Sequence, residues 1–338
     1  MTGGRAELIE LFLASAGWAG ADHVTLAEDA SFRRYERVTR GAERVVLMDA
    51  PPDREDVEPF LRIAGMLKTF GYSAPAILAE DTQQGFLLLE DLGDDTYTRL
   101  LDSGASATDL YGLAVDVLID LHGRPAADIV PRGVAPYDND LFNTEAGLFT
   151  DWYLPAVLPG VLPDDAAAAY RELWSRLLPG ARDVPDTLVL RDFHVDNLIR
   201  VDDRGGIAAC GLLDFQDAVK GPVTYDFVSL VEDARRDVPD DLAAAMRDRY
   251  LAAFPDLDAT AFDRSCAILG AQRHCKVLGI FTRLRDRDGK DAYLHHVPRL
   301  WRMLERAVAH PSLGELKSWL DEFVPADCRI VPPERAAA

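Results

Sequence analysis

Three oxygen-bearing side chains, Asp192, Asn197 and Asp214, lie close together in a sequence segment that could carry a reaction. The segment is LVLRDFHVDNLIRVDDRGGIAACGLLDFQDA, residues 188–218. An apolar strand reads from Leu188 to Leu190 and ends at Arg191-Asp192, and Asn197 follows five residues after Asp192. A short strand pair then turns at Asp202–Gly206. Its second strand, Ala208–Leu213, ends at Asp214-Phe215. Neighbouring strand ends predict one pocket for the three groups. One carboxylate can accept the proton of a substrate hydroxyl. An Asn amide oxygen and a second carboxylate are hard donors that suit Mg2+, which keeps waters and phosphate oxygens as its other ligands. Those are the parts needed for phosphoryl transfer, which depends on positioning and charge neutralisation. In this reading Asp192 is the base, and Asn197 and Asp214 hold the metal.

The elements that must position these groups follow from periodicity. Leu8, Ile9, Phe12, Leu13 and Ala16 fall on one face of an N-terminal amphipathic helix. Glu7 and Glu10 interrupt the apolar run, so the segment reads as a helix rather than a signal peptide. Residues 34–40 and 43–49 read as strands around a turn at Gly41, and Pro51-Pro52 breaks the chain. A helix carrying Val57, Phe60, Leu61, Ala64 and Leu67 comes next, then strands near 76–80 and 86–90 joined by DTQQG. The polar run EDLGDD, 90–95, marks a crossing between two lobes. Helices dominate from there. Leu110, Leu113, Ala114, Val117, Leu118 and Leu121 form a buried stripe. Residues 140–158, 165–178, 240–253, 260–284 and 293–308 also read as helical, interrupted by strands near 187–190 and 207–213. The expectation is an α+β fold, with a small strand-rich lobe over 1–91 and a larger helical lobe over 92–338.

Composition excludes several function classes. The 338 residues are 48% hydrophobic and 28% charged, which suits a full core and argues against disorder. The 57 acidic against 36 basic residues give a net charge of −21. Such a surface repels phosphate backbones and anionic lipid, so neither nucleic acid nor a membrane is expected as a partner. The acidity also serves as a plain solubility device. No apolar stretch reaches 18 residues. The cysteines, at 210, 266, 275 and 328, have no C-x-x-C spacing. That argues against a disulfide scaffold or structural zinc and fits a reducing cytoplasm. Adjacent His295 and His296 do not face one metal. No obligate protein partner is evident.

RDFHVDN and LLDFQ resemble the catalytic and metal loops of the protein-kinase-like fold. GPVTYDF resembles the run that follows the metal loop in its aminoglycoside phosphotransferase branch. SFRRYERV, VLMDAPP, GFLLLEDLGD, LFTDWYLP, TYDFVSLVEDARRDV and GAQRHCKVLGIFTRL resemble the bacterial anomeric kinases of N-acetylmuramate and N-acetylglucosamine, a likeness over roughly residues 25–310. The resemblance implies a protein-kinase-like two-lobe fold with a nucleotide-binding N-terminal lobe. It implies an ATP- and Mg2+-dependent kinase that phosphorylates the C1 hydroxyl of those sugars in peptidoglycan recycling. Another small-molecule kinase of the aminoglycoside or choline type is the alternative. In that branch Asp226 would hold the catalytic loop, and a helix N-cap is an equal reading of the same residue.

The sequence departs from the protein-kinase pattern at three places. Leu190 stands where protein kinases carry His, and EDASFRRY stands where a G-x-G-x-x-G loop would be. Met48 occupies the place of the ATP-phosphate lysine, a lack that the resembled sugar kinases share. Arg33 and Arg34 are then the candidate phosphate cations, with a Ser31 hydroxyl or N–H beside them and Lys68 as a third cation. The segment Leu88–Leu92, Glu90 included, should line the adenine site, with Met48, Leu89 and Leu92 packed on the base. No A-P-E segment or long activation loop follows Asp214, which argues against protein substrates.

The acceptor pocket is expected in the helical lobe, facing Asp192. Its candidates are Glu145, Trp152, Tyr153, His194, Asp196, Asp217, Arg273, His274 and Lys276. Carboxylates bond sugar hydroxyls and aromatic rings pack on sugar faces. Arg or Lys suits the muramate carboxylate.

Overall fold

The computed structural model describes residues 2–28 and 32–333. The chain divides into two compact units, Met1–Ser106 with Val195–Ala218, and Ala107–His194 with Val219–Ala338.

The first unit opens with helix α1 (Thr2–Ser15) and strands β1 (Asp22–Glu28), β2 (Arg34–Arg40) and β3 (Glu43–Asp49). Helix α2 (Glu58–Thr69) and strands β4 (Ile77–Asp81) and β5 (Phe86–Glu90) follow. The five strands form one antiparallel sheet in the order β1-β2-β3-β5-β4. The α1 stripe buries Ile9, Phe12 and Leu13 against Val38, Val45, Leu47, Phe86 and Leu88. Strand alternation then sends Met48, Leu87 and Leu89 to the opposite face. Gly85 has φ +70°, and a Cβ there would lie 1.9 Å from the Ala50 carbonyl oxygen. Only glycine fits this approach, which the Ala50 N–H to Gly85 carbonyl bond fixes at 2.9 Å.

Helix α3 (Tyr97–Asp102) completes this part of the chain. Residues 195–218 join the unit by a parallel bridge between Ser73 and Gly211 and an antiparallel one between Thr96 and Ile199.

The second unit is largely helical. Its first helices are α4 (Ala107–His122), α5 (Ala126–Ile129), α6 (Asn139–Leu148), α7 (Leu154–Val157) and α8 (Asp164–Ala181). Strand β6 (Asp186–Val189) follows. In the first unit, β7 (Leu198–Arg200) pairs with β8 (Cys210–Leu212). Back in the second, β9 (Val219–Pro222) pairs with β6 from Asp186↔Pro222 to Val189↔Val219. The remaining helices are α9 (Thr224–Val231), α10 (Asp240–Ala253), α11 (Ala259–Asp288), α12 (Val297–Ala307) and α13 (Gly314–Phe323). The central rod is α11, 30 residues and about 45 Å long. Asp258 caps it by accepting from the Thr260 N–H at 2.8 Å, and Gly289 ends it at φ +69°. Around it pack Phe142, Phe149, Tyr170, Trp174, Leu304 and Leu320.

Three segments differ from the sequence expectation; in the helix expected over 293–308, Ala292–His296 is a 3₁₀ turn and the α-helix runs only over Val297–Ala307. The single helix expected over 140–158 is interrupted: α6 passes through a wide π-turn at Phe149–Tyr153 into α7. Pro155 has no N–H to return to the Asp151 carbonyl, so the regular ladder cannot run through. In the strand expected over 207–213, Gly206–Ala209 is a 3₁₀ turn and only Cys210–Leu212 pairs.

Candidate active site

In the first unit, strand pairing gathers the candidate metal ligands. Leu198 lies opposite Leu212, and the Leu213 N–H bonds the Asn197 carbonyl at 2.9 Å. Asn197 and Asp214 therefore leave the same end of the β7–β8 pair, with Asn197 Nδ2 3.5 Å from Asp214 Oδ2. Asp214 has φ +57°, a left-handed conformation that a non-glycine residue seldom holds without constraint. The constraint is local. Gln216 Nε2 donates to Asp214 Oδ1 at 2.7 Å and to Asp217 Oδ2 at 3.2 Å. Phe215 is buried and stacks on Phe60 of α2 at 4.9 Å.

Arg33, buried just before β2, reaches this carboxylate: its Nη2 lies 3.3 Å from Asp214 Oδ1. Arg34 and Lys68 are exposed. Ser31 lies outside the described residues. Met48 and Leu89 are buried on one face of the sheet. Glu90 pairs with Arg204 and accepts the Ala76 N–H at 3.1 Å. Leu92 packs over Gly211, where a Cβ would come within 3.0 Å of Leu92 Cδ1. Asp196 accepts the Thr98 hydroxyl of α3.

In the second unit, the turn after β6 carries Asp192. Its neighbour Arg191 has φ +70°. The buried Asp226 carboxylate of α9 accepts the N–H groups of Leu190 at 2.6 Å and Arg191 at 2.9 Å. Asp226 thus holds the loop, and the N-cap of α9 is Val223 with no side-chain cap. Burial pushes Asp226 up to about 7, against the pull of those two N–H groups and Arg273. The Arg191 carbonyl accepts from Arg273 Nη1 and Ser229 Oγ, each at 3.3 Å.

The structure brings Glu145, Arg273 and Lys276 together around Arg191. Glu145 Oε1 accepts from Lys276 Nζ at 2.8 Å and from the Arg191 guanidinium. Glu145 Oε2 accepts from the Tyr137 hydroxyl. The Tyr225 hydroxyl lies 3.3 Å from both Arg273 Nη1 and Lys276 Nζ. Burial alone would raise Glu145, but Lys276 and Arg191 outweigh it and hold the carboxyl below its usual range. His194 is buried, and burial, then Arg235 and Arg273, lower it far enough to stay neutral. Its Nε2 lies 3.3 Å from Arg235 Nη1.

The other substrate candidates stand apart from this cluster. His274 pairs with Glu232 at 2.6 Å. Tyr153 is fully buried, its hydroxyl donating to the Ile330 carbonyl at 2.7 Å and accepting from Trp301 Nε1 at 2.6 Å. Trp152 is half-buried and lines a cavity of about 330 Å³ with Asp151, Pro155, Ala156, Arg285, Asp286 and Pro333.

Sequence reading missed Gln216, Ser229, Tyr137 and Tyr225 as supports of the two loops. Gln216 stands next to the D-F pair, so proximity was its signal. The tyrosines are distant in sequence and carried none.

The first unit thus holds a carboxylate beside an amide and an arginine, and the second holds a carboxylate on a braced turn; each is a kind of group that phosphoryl transfer uses. The chain belongs to the phosphotransferase enzyme family, whose profile matches residues 22–262. It is 40% identical to the N-acetylmuramate/N-acetylglucosamine kinase of Pseudomonas aeruginosa, over 91% of each chain. It is 36% identical to the kinase of the same name from Caulobacter vibrioides, over 94% of this chain and 96% of the relative. The fold is that of ADP-bound aminoglycoside phosphotransferase APH(2″)-Ib, with a TM-score of 0.57 at 16% identity over 89% of this chain and 98% of that one. Among the described residues no helix is long and apolar enough to cross a membrane.

Proposed function

We propose that this chain is an ATP-dependent kinase of the anomeric hydroxyl of N-acetylmuramate and N-acetylglucosamine, serving cell-wall sugar recycling in a reducing cytoplasm. The observation that carries the reading is the Asn197–Asp214 pair, on a chain similar almost end to end to kinases of that name. In this proposal residues 1–91 bind the nucleotide, with Met48 and Leu89 against the base, and residues 92–338 carry catalysis and the sugar, their first residue, Leu92, also meeting the base.

Asp192 takes the proton of the attacking hydroxyl. An anomeric hydroxyl is more acidic than an ordinary alcohol, so a carboxylate base suffices. Arg33 supplies the cation that Met48 cannot. The donor set fits Mg2+: one carboxylate and one amide supply hard oxygen ligands and leave places for waters and phosphate oxygens. A half-turn of the Asn197 amide would turn its oxygen to the carboxylate side. Bound there, Mg2+ would neutralise phosphate charge.

Turnover of ATP and Mg2+ with each sugar tests the reading. A C1 phosphate couples to the anomeric proton in phosphorus NMR, and the sugar loses its reducing end. A product that still reduces copper and couples to the C6 protons rejects the anomeric site. Turnover only of aminoglycosides or choline rejects the sugar.

A further inference from the structure

Arg191, the residue before the proposed base, is held by its backbone N–H, its carbonyl and its guanidinium. Its N–H is bonded by Asp226 and its carbonyl by Arg273 and Ser229. Its guanidinium turns inward to Glu145 and lies 5.6 Å over the Tyr137 ring. This grip holds a left-handed backbone at φ +70°, which costs free energy unless the surroundings enforce it.

We propose that Glu145 is a positioning residue: an internal anion that, through Arg191, fixes the turn from which Asp192 acts. The inference rests on Asp192 being the base. Glu145 is suited to the role because it is buried, because Lys276 and Arg191 keep it ionised, and because Tyr137 occupies its second oxygen. Gln272 Nε2 also lies 3.5 Å from Glu145 Oε2, so both carboxylate oxygens have side-chain donors and one of those donors is the arginine of the turn. Lys276 balances the charge. With Arg191 it makes two cations on Glu145 Oε1, so the anion stays paired while the arginine is held. A misplacement of about 1 Å at a reacting group costs on the order of 10²-fold in rate.

The test separates positioning from binding and from folding. Glu145→Gln keeps the shape and removes the charge. The expected result is a kcat lower by about 10–100-fold, with KM for sugar and for ATP within about twofold of wild type. Glu145→Gln leaves the Lys276 ammonium buried and less well paired. The double variant Glu145→Gln/Lys276→Met removes that burden, and it should fold, by circular dichroism and thermal melting, and remain as slow. Arg191→Lys, which keeps a cation for Glu145, should retain more kcat than Arg191→Met. Recovery of kcat in the double variant would overturn the proposal, since the loss would then belong to the stranded ammonium. A raised sugar KM at unchanged kcat would overturn it too, because Glu145 would then touch substrate.

Rates are also taken as ATP hydrolysis without acceptor, so failure of the sugar reading shows in wild type while the variant ratios remain measurable. Wild-type turnover by Asp192→Asn would defeat the base assignment and this inference together.

Discussion

Asp192 stands on a turn braced by Asp226, and its own N–H returns to the Leu190 carbonyl at 2.9 Å. Asp192→Asn keeps the size and loses the proton acceptor, so kcat should fall about 10²–10⁴-fold while ATP binding by calorimetry stays unchanged. Wild-type turnover in a folded variant would sink the assignment. In the proposed reading Asn197 shares the metal with Asp214, so Asn197→Ala should raise the Mg2+ concentration for half-maximal rate; an unchanged Mg2+ titration rules the role out. Arg33 is buried and aimed at the Asp214 carboxylate, whereas Arg34 is exposed. Arg33→Ala should raise KM for ATP about tenfold, the worth of one charged hydrogen bond, and KM for sugar hardly at all. Equal ATP binding by variant and wild type would mean the cation comes from elsewhere. Spacing alone suggested the roles proposed for Asp192, Asn197 and Asp214, because Asp192 and Asp214 follow strands and Asn197 stands just before one. The alternative readings of Asp226 could be separated only in three dimensions, because its partners lie 35 and 36 residues away.

Elements with an apolar stripe or run set off by turn residues were legible, whether buried on one face or, as in β3 and β5, on both. The strands 34–40, 43–49 and 86–90 and the helix 240–253 match the structure. Strand β1 escaped notice: it is an edge strand with Val24 and Leu26 exposed, so its sequence has no inward face to advertise. Helix α11 was legible, but not its tight seam with α6. A Cβ on Gly279 would lie 2.3 Å from the Leu148 backbone. Three residues before Gly279 is Lys276, and three before Leu148 is its partner Glu145, so the close approach and the ion pair are neighbours along the same two helices. Gly279→Ala must push α6 away because the obstacle is backbone. We expect a loss of about 3 kcal/mol, the upper end for overpacking, read as a lower urea midpoint. A wild-type midpoint would show that the helices part at no cost.

At the scale of the molecule, the acid limb of stability should be set in part by histidines kept neutral inside the helical unit. His122 Nδ1 lies 2.7 Å from the Tyr250 hydroxyl in a hydrogen bond, and its buried Nε2 has no partner among the described residues. Burial pushes His122 down to about 3, and His194 is lowered in the same direction. The unfolded chain protonates these rings near 6.5, well before the folded one does. Below that pH the unfolded state therefore binds more protons, and stability is lost as pH falls from about 6.5 toward 3. Asp226 works the other way: raised to about 7, it holds its proton in the folded state and adds stability on acidification. The total slope mixes these signs, so the informative quantity is a difference between proteins. Replacing His122 by Asn, whose amide can donate or accept, keeps a hydrogen-bonding group for the Tyr250 hydroxyl and removes the titration. Wild type should lose about 1.4 kcal/mol more per pH unit than His122→Asn below pH 6.5. Urea unfolding followed by tryptophan fluorescence reports on this unit, which holds Trp152, Trp174, Trp301 and Trp319. Parallel slopes for the two proteins between pH 6.5 and 5 would mean that His122 reaches water in the folded state and titrates there as it does in the unfolded chain.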